Sequence, residues 1–143
     1  MIFSIAFFAV VAAATTCARA AVVTNVVSEA ELMHFINTTN AELKFIGKPI
    51  NANGPARRAA LDTMVVFCTS RIDQVCGGSC SVYNGGPACL NAPGTQCLSA
   101  TSNVGFCDRG SCGGSCNQSG SCGDRLDNNF CATPGTASIL VGA

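Results

Sequence analysis

The chain has 143 residues, with eight basic and eight acidic side chains, one histidine, no tryptophan and eleven cysteines. A balanced charge with no basic cluster excludes electrostatic capture of nucleic acid or of an anionic membrane surface. The cysteine content points to an oxidised, cross-linked protein rather than to a cytosolic enzyme.

Residues Ile2 to Ala14 form a nearly unbroken apolar run of thirteen, shorter than the roughly twenty needed to cross a bilayer core. Ala18-Arg19-Ala20 follows with small residues where signal peptidase requires them, so residues 1–20 read as a signal peptide cut after Ala20. Cleavage removes Cys17 and leaves an even ten cysteines, the count that five bridges require. The remaining 123 residues suffice for one modest domain and carry seven basic against eight acidic side chains. The apolar stretch Ser138-Ile139-Leu140-Val141 is too short for a lipid-anchor signal. The expectation is a secreted, extracellular protein without a membrane anchor.

Residues 21–67 contain no cysteine after that cut. Ser28 with Glu31 three positions later makes a capping box ahead of Leu32, Met33, Phe35 and Ile36, which predicts a short helix with His34 on its apolar side. Leu43 and Phe45 alternate with Glu42 and Lys44, which predicts a half-buried strand. Pro55 then suits a first helical position, and Leu61, Met64, Val65 and Cys68 follow at helical spacing, which predicts a second helix. The dibasic pair Arg57-Arg58 lies upstream of all ten remaining cysteines, so cleavage after Arg58 would make residues 21–58 a propeptide. Two glycosylation sequons occur, at Asn37-Thr38-Thr39 and Asn117-Gln118-Ser119.

Residues 68–143 hold Cys68, Cys76, Cys80, Cys89, Cys97, Cys107, Cys112, Cys116, Cys122 and Cys131 among Gly, Ser, Asn and Pro. The pentapeptide Cys-Gly-Gly-Ser-Cys occurs at Cys76–Cys80 and again at Cys112–Cys116, and each copy leads to a Pro-Gly pair, Pro93-Gly94 and Pro134-Gly135. Both pairs read as type II turns. Five cysteines fall in each half, so complete pairing forces at least one bridge between the halves, while the full connectivity stays open. Few large apolar residues accompany the cysteines, so the bridges, at roughly 2–4 kcal/mol each, carry much of the stability. The fold class is therefore a small disulfide-rich α+β protein, with short N-terminal helices followed by a loop- and hairpin-rich domain stapled by about five disulfides.

Chemistry is harder to find. The three-residue gaps inside the repeated pentapeptide fall in the zinc-ligand range, but ten cysteines in an oxidising compartment with one distant histidine fit disulfides better, so no metal or cofactor is expected. Even pairing leaves no thiolate nucleophile, His34 has no partner acid in view, and Asp108, Asp124 and Asp127 sit among turn residues. A non-enzymatic role follows. The loops from Val82 to Pro87 and from Asp124 to Phe130 offer Tyr83, Arg125, Leu126 and Phe130 as candidate anchors for an extracellular partner.

Two resemblances bear on that partner. Ser119-Gly120-Ser121-Cys122-Gly123 with Phe130-Cys131 loosely resembles the chitin-binding loop of hevein-like domains, but Ser119 and Ser121 stand where that family places sugar-stacking aromatics. Over the whole mature chain, the leader, Cys76-Gly77-Gly78-Ser79-Cys80, the stretch Asn103-Val104-Gly105-Phe106-Cys107-Asp108-Arg109-Gly110 and Thr133-Pro134-Gly135-Thr136 resemble the small secreted cysteine-rich proteins of filamentous, particularly basidiomycete, fungi. That resemblance implies an effector-like, toxin-like or antimicrobial role. Binding to a cell-wall carbohydrate, or inhibition of a secreted hydrolase, is the alternative.

Overall fold

A computed structural model of the chain describes residues 26–50 and 62–142. The Ser28 box forms as the sequence predicts. Its hydroxyl accepts from Glu31 N–H at 3.2 Å, and the Glu31 carboxylate accepts from Ser28 N–H at 2.8 Å. Helix α1 (Glu29–Thr38) follows from this cap and buries Leu32 and Phe35. His34 is exposed rather than on the buried side, because it projects from the face of the helix opposite Leu32, about 160° away around the axis.

Apart from two short 3-10 turns at Ser119–Ser121 and Asp127–Asn129, the remaining elements are strands: β1 (Glu42–Gly47), β2 (Thr63–Ile72), β3 (Val75–Gly85), β4 (Ala88–Ala100), β5 (Gly105–Cys107), β6 (Cys116–Gln118) and β7 (Cys131–Val141). They form one sheet in the order β1-β3-β2-β4-β7-β5-β6, antiparallel except for the β1–β3 pair. The protein is thus mainly β with one described helix, not the α+β arrangement with several N-terminal helices. Met64, Val65 and Cys68, expected on a helix, lie on β2. Thr63 to Cys68 are all buried, so this strand is covered on both faces and its sequence lacks the alternation that marks a half-exposed strand. The proposed start of that helix at Pro55, together with Ala20 and Arg58, lies outside the described residues.

Two apolar clusters occupy the two faces. On one, α1 lays Leu32 and Phe35 over Met64, Val66, Val82 and the Cys68, Cys76, Cys80 and Cys97 sulfurs, with Leu126 and Phe130. The other joins Val65, Phe67, Leu98 and Ala100 to Leu90, Ala92, Ile139 and Val141. A straight strand would hold Leu90 and Ala100 about 33 Å apart, so their shared cluster requires β4 to bend. The bend falls at the Pro-Gly pairs. Pro93-Gly94 and Pro134-Gly135 do not reverse the chain as expected but sit inside β4 and β7, where the register shifts between Asn91 and Cys97. Gly94 and Gly135 have φ of +71° and +79°, the freedom a type II turn would also need, here used to fold a two-stranded ribbon over the second cluster. Thr136 closes this corner by donating its hydroxyl to Thr133 O at 2.7 Å.

All ten cysteines pair, as Cys68–Cys80, Cys76–Cys97, Cys89–Cys112, Cys107–Cys116 and Cys122–Cys131. Cys89–Cys112 is the bridge between halves that the odd count demanded. No described helix is long and apolar enough to cross a membrane. Five disulfides are what an oxidising, extracellular-type environment produces.

Candidate functional site

The loop between β6 and β7 is closed by Cys122–Cys131 and docks against two other elements. Inside it, Leu126 N–H donates to Phe130 O at 2.8 Å, and Ala132 N–H donates to Asp124 O at 2.9 Å. These bonds turn Leu126 and Phe130 inward. Phe130 is 1% exposed, and its ring lies 4.7 Å from that of Phe35 in a tilted arrangement, which fastens the loop to α1.

The second docking partner is the β2–β3 hairpin, whose two-residue link is Asp73-Gln74. Asp73 takes φ +52°, a conformation Asp tolerates better than most residues. Arg71 spans the junction. Its Nε donates to Asp73 O at 2.9 Å, and its guanidinium pairs with the Asp124 carboxylate at 2.9 Å. One main-chain bond, Asp127 N–H to Gln74 O at 2.9 Å, completes the contact. Ile72 and Val75, on either side of the link, are left 72% and 58% exposed.

Between this tip and the end of α1 runs an open groove of about 420 Å³, lined by Thr39, Asn40, Ile72, Val75, Gly77 and Asn128 among others. A second hollow of about 410 Å³, with Glu31, His34, Asn128 and Asn129, lies on the far side of the loop crest. The crest is Asn128-Asn129, both at φ +58°. Consecutive non-glycine residues in this region are uncommon and costly. Here a polar relay holds Asn129, since Arg125 donates to Asn129 Oδ1 at 3.2 Å and Asn129 Nδ2 donates to Glu31 Oε1 at 3.0 Å. The Glu31 carboxyl is held below its ordinary value, first by the Ser28 N–H, then by the Ser28 hydroxyl, and to a smaller degree by Asn129.

The four candidate anchors separate in space. Leu126 and Phe130 belong to the core under α1. Tyr83 lies on β3 rather than in a loop, packs on the opposite cluster, and donates its hydroxyl to Gly86 O at 2.6 Å. Arg125 alone of the four is exposed at the crest. The more prominent side chains, Ile72 and Val75, escaped the sequence reading because Asp-Gln is a weaker hairpin signal than Asn-Gly or Asp-Gly. Two β-branched residues around a two-residue polar link were the available clue. Asp108 accepts from Ser115 N–H at 2.8 Å, which serves the β5–β6 turn. Of the sequon residues, Asn37 and Asn117 are exposed, whereas Ser119 is buried with its hydroxyl accepting from Val104 N–H at 3.0 Å. No family model matches the chain, and comparison with curated proteins and with solved structures also returned no match.

Proposed function

We propose that the protein is a secreted, non-enzymatic binding protein of the effector-like kind, and that it engages an extracellular protein through the β2–β3 tip, the Asn128-Asn129 crest and the end of α1. The observation that carries this reading is the exposure of Ile72 and Val75 on a tip that cannot retract. The tip is held by the Arg71–Asp124 pair, the Asp127–Gln74 bond and the Cys76–Cys97 bridge. Rigid apolar side chains lose little entropy on binding and supply the dry centre of a protein interface. A wall polysaccharide is the poorer fit, because sugar faces stack on aromatic rings and the aromatic that lines the groove, Phe35, is only 6% exposed.

The test places a photo-cross-linking residue at position 72 of the full chain and exposes the secreted protein to the extracellular fluid in which it acts. A discrete protein adduct that disappears when Val75→Asp is added supports the reading. Retention on insoluble chitin or glucan, unaffected by Val75→Asp and without a protein adduct, overturns it in favour of carbohydrate binding.

A further inference from the structure

Strand β1 leaves one edge of the sheet open. It pairs with β3 on one side, and among the described residues no strand lies against the other. Alternate main-chain N–H and C=O groups along this edge therefore face outward as a template for another strand. The register with β3 sets Leu43 opposite Cys80 and Phe45 opposite Val82, on the side that carries α1, and sends Glu42 and Lys44 to the other side. Phe45 is 56% exposed. Glu42 and Lys44 are exposed as well, and neither has an ionic partner among the described residues.

A lone edge lysine discourages strand addition. A glutamate two positions away reverses that effect for one particular visitor, an antiparallel copy of the same strand. We propose that the protein forms a two-fold dimer in which β1 pairs with the partner's β1 about an axis at Leu43. In this register Glu42 stands opposite the partner's Lys44, and Lys44 opposite the partner's Glu42. On the helix-bearing face Leu43 meets the partner's Leu43, and the large Phe45 covers the partner's small Ala41. Moving the axis by one residue sets either Glu42 against the partner's Glu42 or Lys44 against the partner's Lys44, and like charges directly opposite are unfavourable. The sequence Ala41-Glu42-Leu43-Lys44-Phe45 is thus self-complementary in charge and in size at one register. The dimer has a consequence for the groove, whose lining includes Ala41. The partner's Phe45 adds a second aromatic there, beside the nearly buried Phe35.

Ala41, just ahead of β1, and Glu42 to Phe45 within it make a five-residue pairing below the standard interface size, so the dimer is a reversible one, with Kd on the order of 10–100 µM. Sedimentation equilibrium of the secreted protein over a concentration series tests it, with circular dichroism and Tm as controls for folding. Lys44→Glu and Glu42→Lys each turn two opposite-charge pairs into like-charge pairs and weaken dimerisation at least about tenfold. The double swap Glu42→Lys with Lys44→Glu regenerates both pairs and restores Kd to within about threefold of the parent. A parent that stays monomeric at about 1 mM overturns the proposal. So does a dimer that ignores the single swaps, or a double swap as weak as the singles.

Discussion

Phe130→Ala removes the ring that joins the Cys122–Cys131 loop to α1, and its cost can be worked from the surroundings. Truncating a buried phenylalanine costs about 3–5 kcal/mol, the higher values where neighbours cannot collapse into the space. Here collapse is restricted on three sides, by the Cys122–Cys131 bridge, the Arg71–Asp124 pair and the Asp127–Gln74 bond. The expected loss is therefore about 4 kcal/mol. In non-reducing urea, with a slope of about 2 kcal/mol/M, the unfolding midpoint falls by about 2 M at unchanged slope. Phe35→Ala and the double variant complete a cycle whose coupling should be about 1 kcal/mol, the worth of an aromatic pair. A loss below about 1.5 kcal/mol, or strict additivity of the two changes, would refute the packing argument, since it would mean that the loop rests on its disulfide alone.

Other consequences are checked with the same unfolding assay. Replacing both Cys89 and Cys112 by Ser opens a bridge of sequence separation 23 and should cost about 3 kcal/mol by freeing the unfolded chain. The β5–β7 pairing and native-like near-ultraviolet dichroism should survive, and loss of that signal would show that the bridge holds the folded state directly. Gly78→Ala should cost about 1–3 kcal/mol, because φ is +81° and the new methyl would meet Ser70 Cβ at 2.6 Å. Gly77→Ala, with nothing within 4 Å of the added carbon, should stay within about 0.5 kcal/mol of the parent. Glu31 contributes to the acid limb of the stability profile. Its folded pKa is depressed below the ordinary 4.5, so its contribution is complete above that value and is lost as the pH falls through the depressed one. Glu31→Gln should flatten Tm against pH in this window, and an unchanged profile would show that the cap carries no pH-dependent stability.

What was legible in the chain follows from how local each signal is. The Ser28–Glu31 cap is settled within four residues and appears as read, and the alternation of Leu43 and Phe45 with Glu42 and Lys44 marked β1 for the same reason. Counting cysteines reached one non-local fact, the bridge between the halves, because parity does not depend on geometry. Elsewhere the deciding neighbours are distant in sequence. Thr63 to Cys68 read as helix because burial on both faces, by α1 on one side and the folded ribbon on the other, erases the strand period. The Pro-Gly pairs carried the correct dihedral freedom but not its use, since only the pairing of β4 with β7 makes them a corner. The stretch from Val82 to Gly85 looked like loop because the turn residues Asn84-Gly85-Gly86-Pro87 outweigh Val82 and Tyr83, yet it lies in β3, where pairing on both sides carries the strand through Asn84.

The repeated pentapeptide shows where the two halves agree and where they part. In both copies the third residue is a glycine with positive φ, +81° at Gly78 and +77° at Gly114. In both, the last cysteine bridges to the residue directly opposite on the antiparallel partner strand, Cys80 to Cys68 and Cys116 to Cys107. The first cysteine of each copy reaches out to β4, Cys76 to Cys97 and Cys112 to Cys89. Strict repetition would have joined Cys112 to Cys131, as Cys76 joins the last cysteine of its own half. Instead Cys131 pairs with Cys122 and closes the loop that carries the Asn128-Asn129 crest, which leaves Cys112 to take the otherwise unmatched Cys89. One departure from symmetry therefore does two things, tying the halves together and fixing the loop that forms one wall of the groove. The proposed binding surface lies where the duplicated pattern is broken, on the side of the sheet that carries α1.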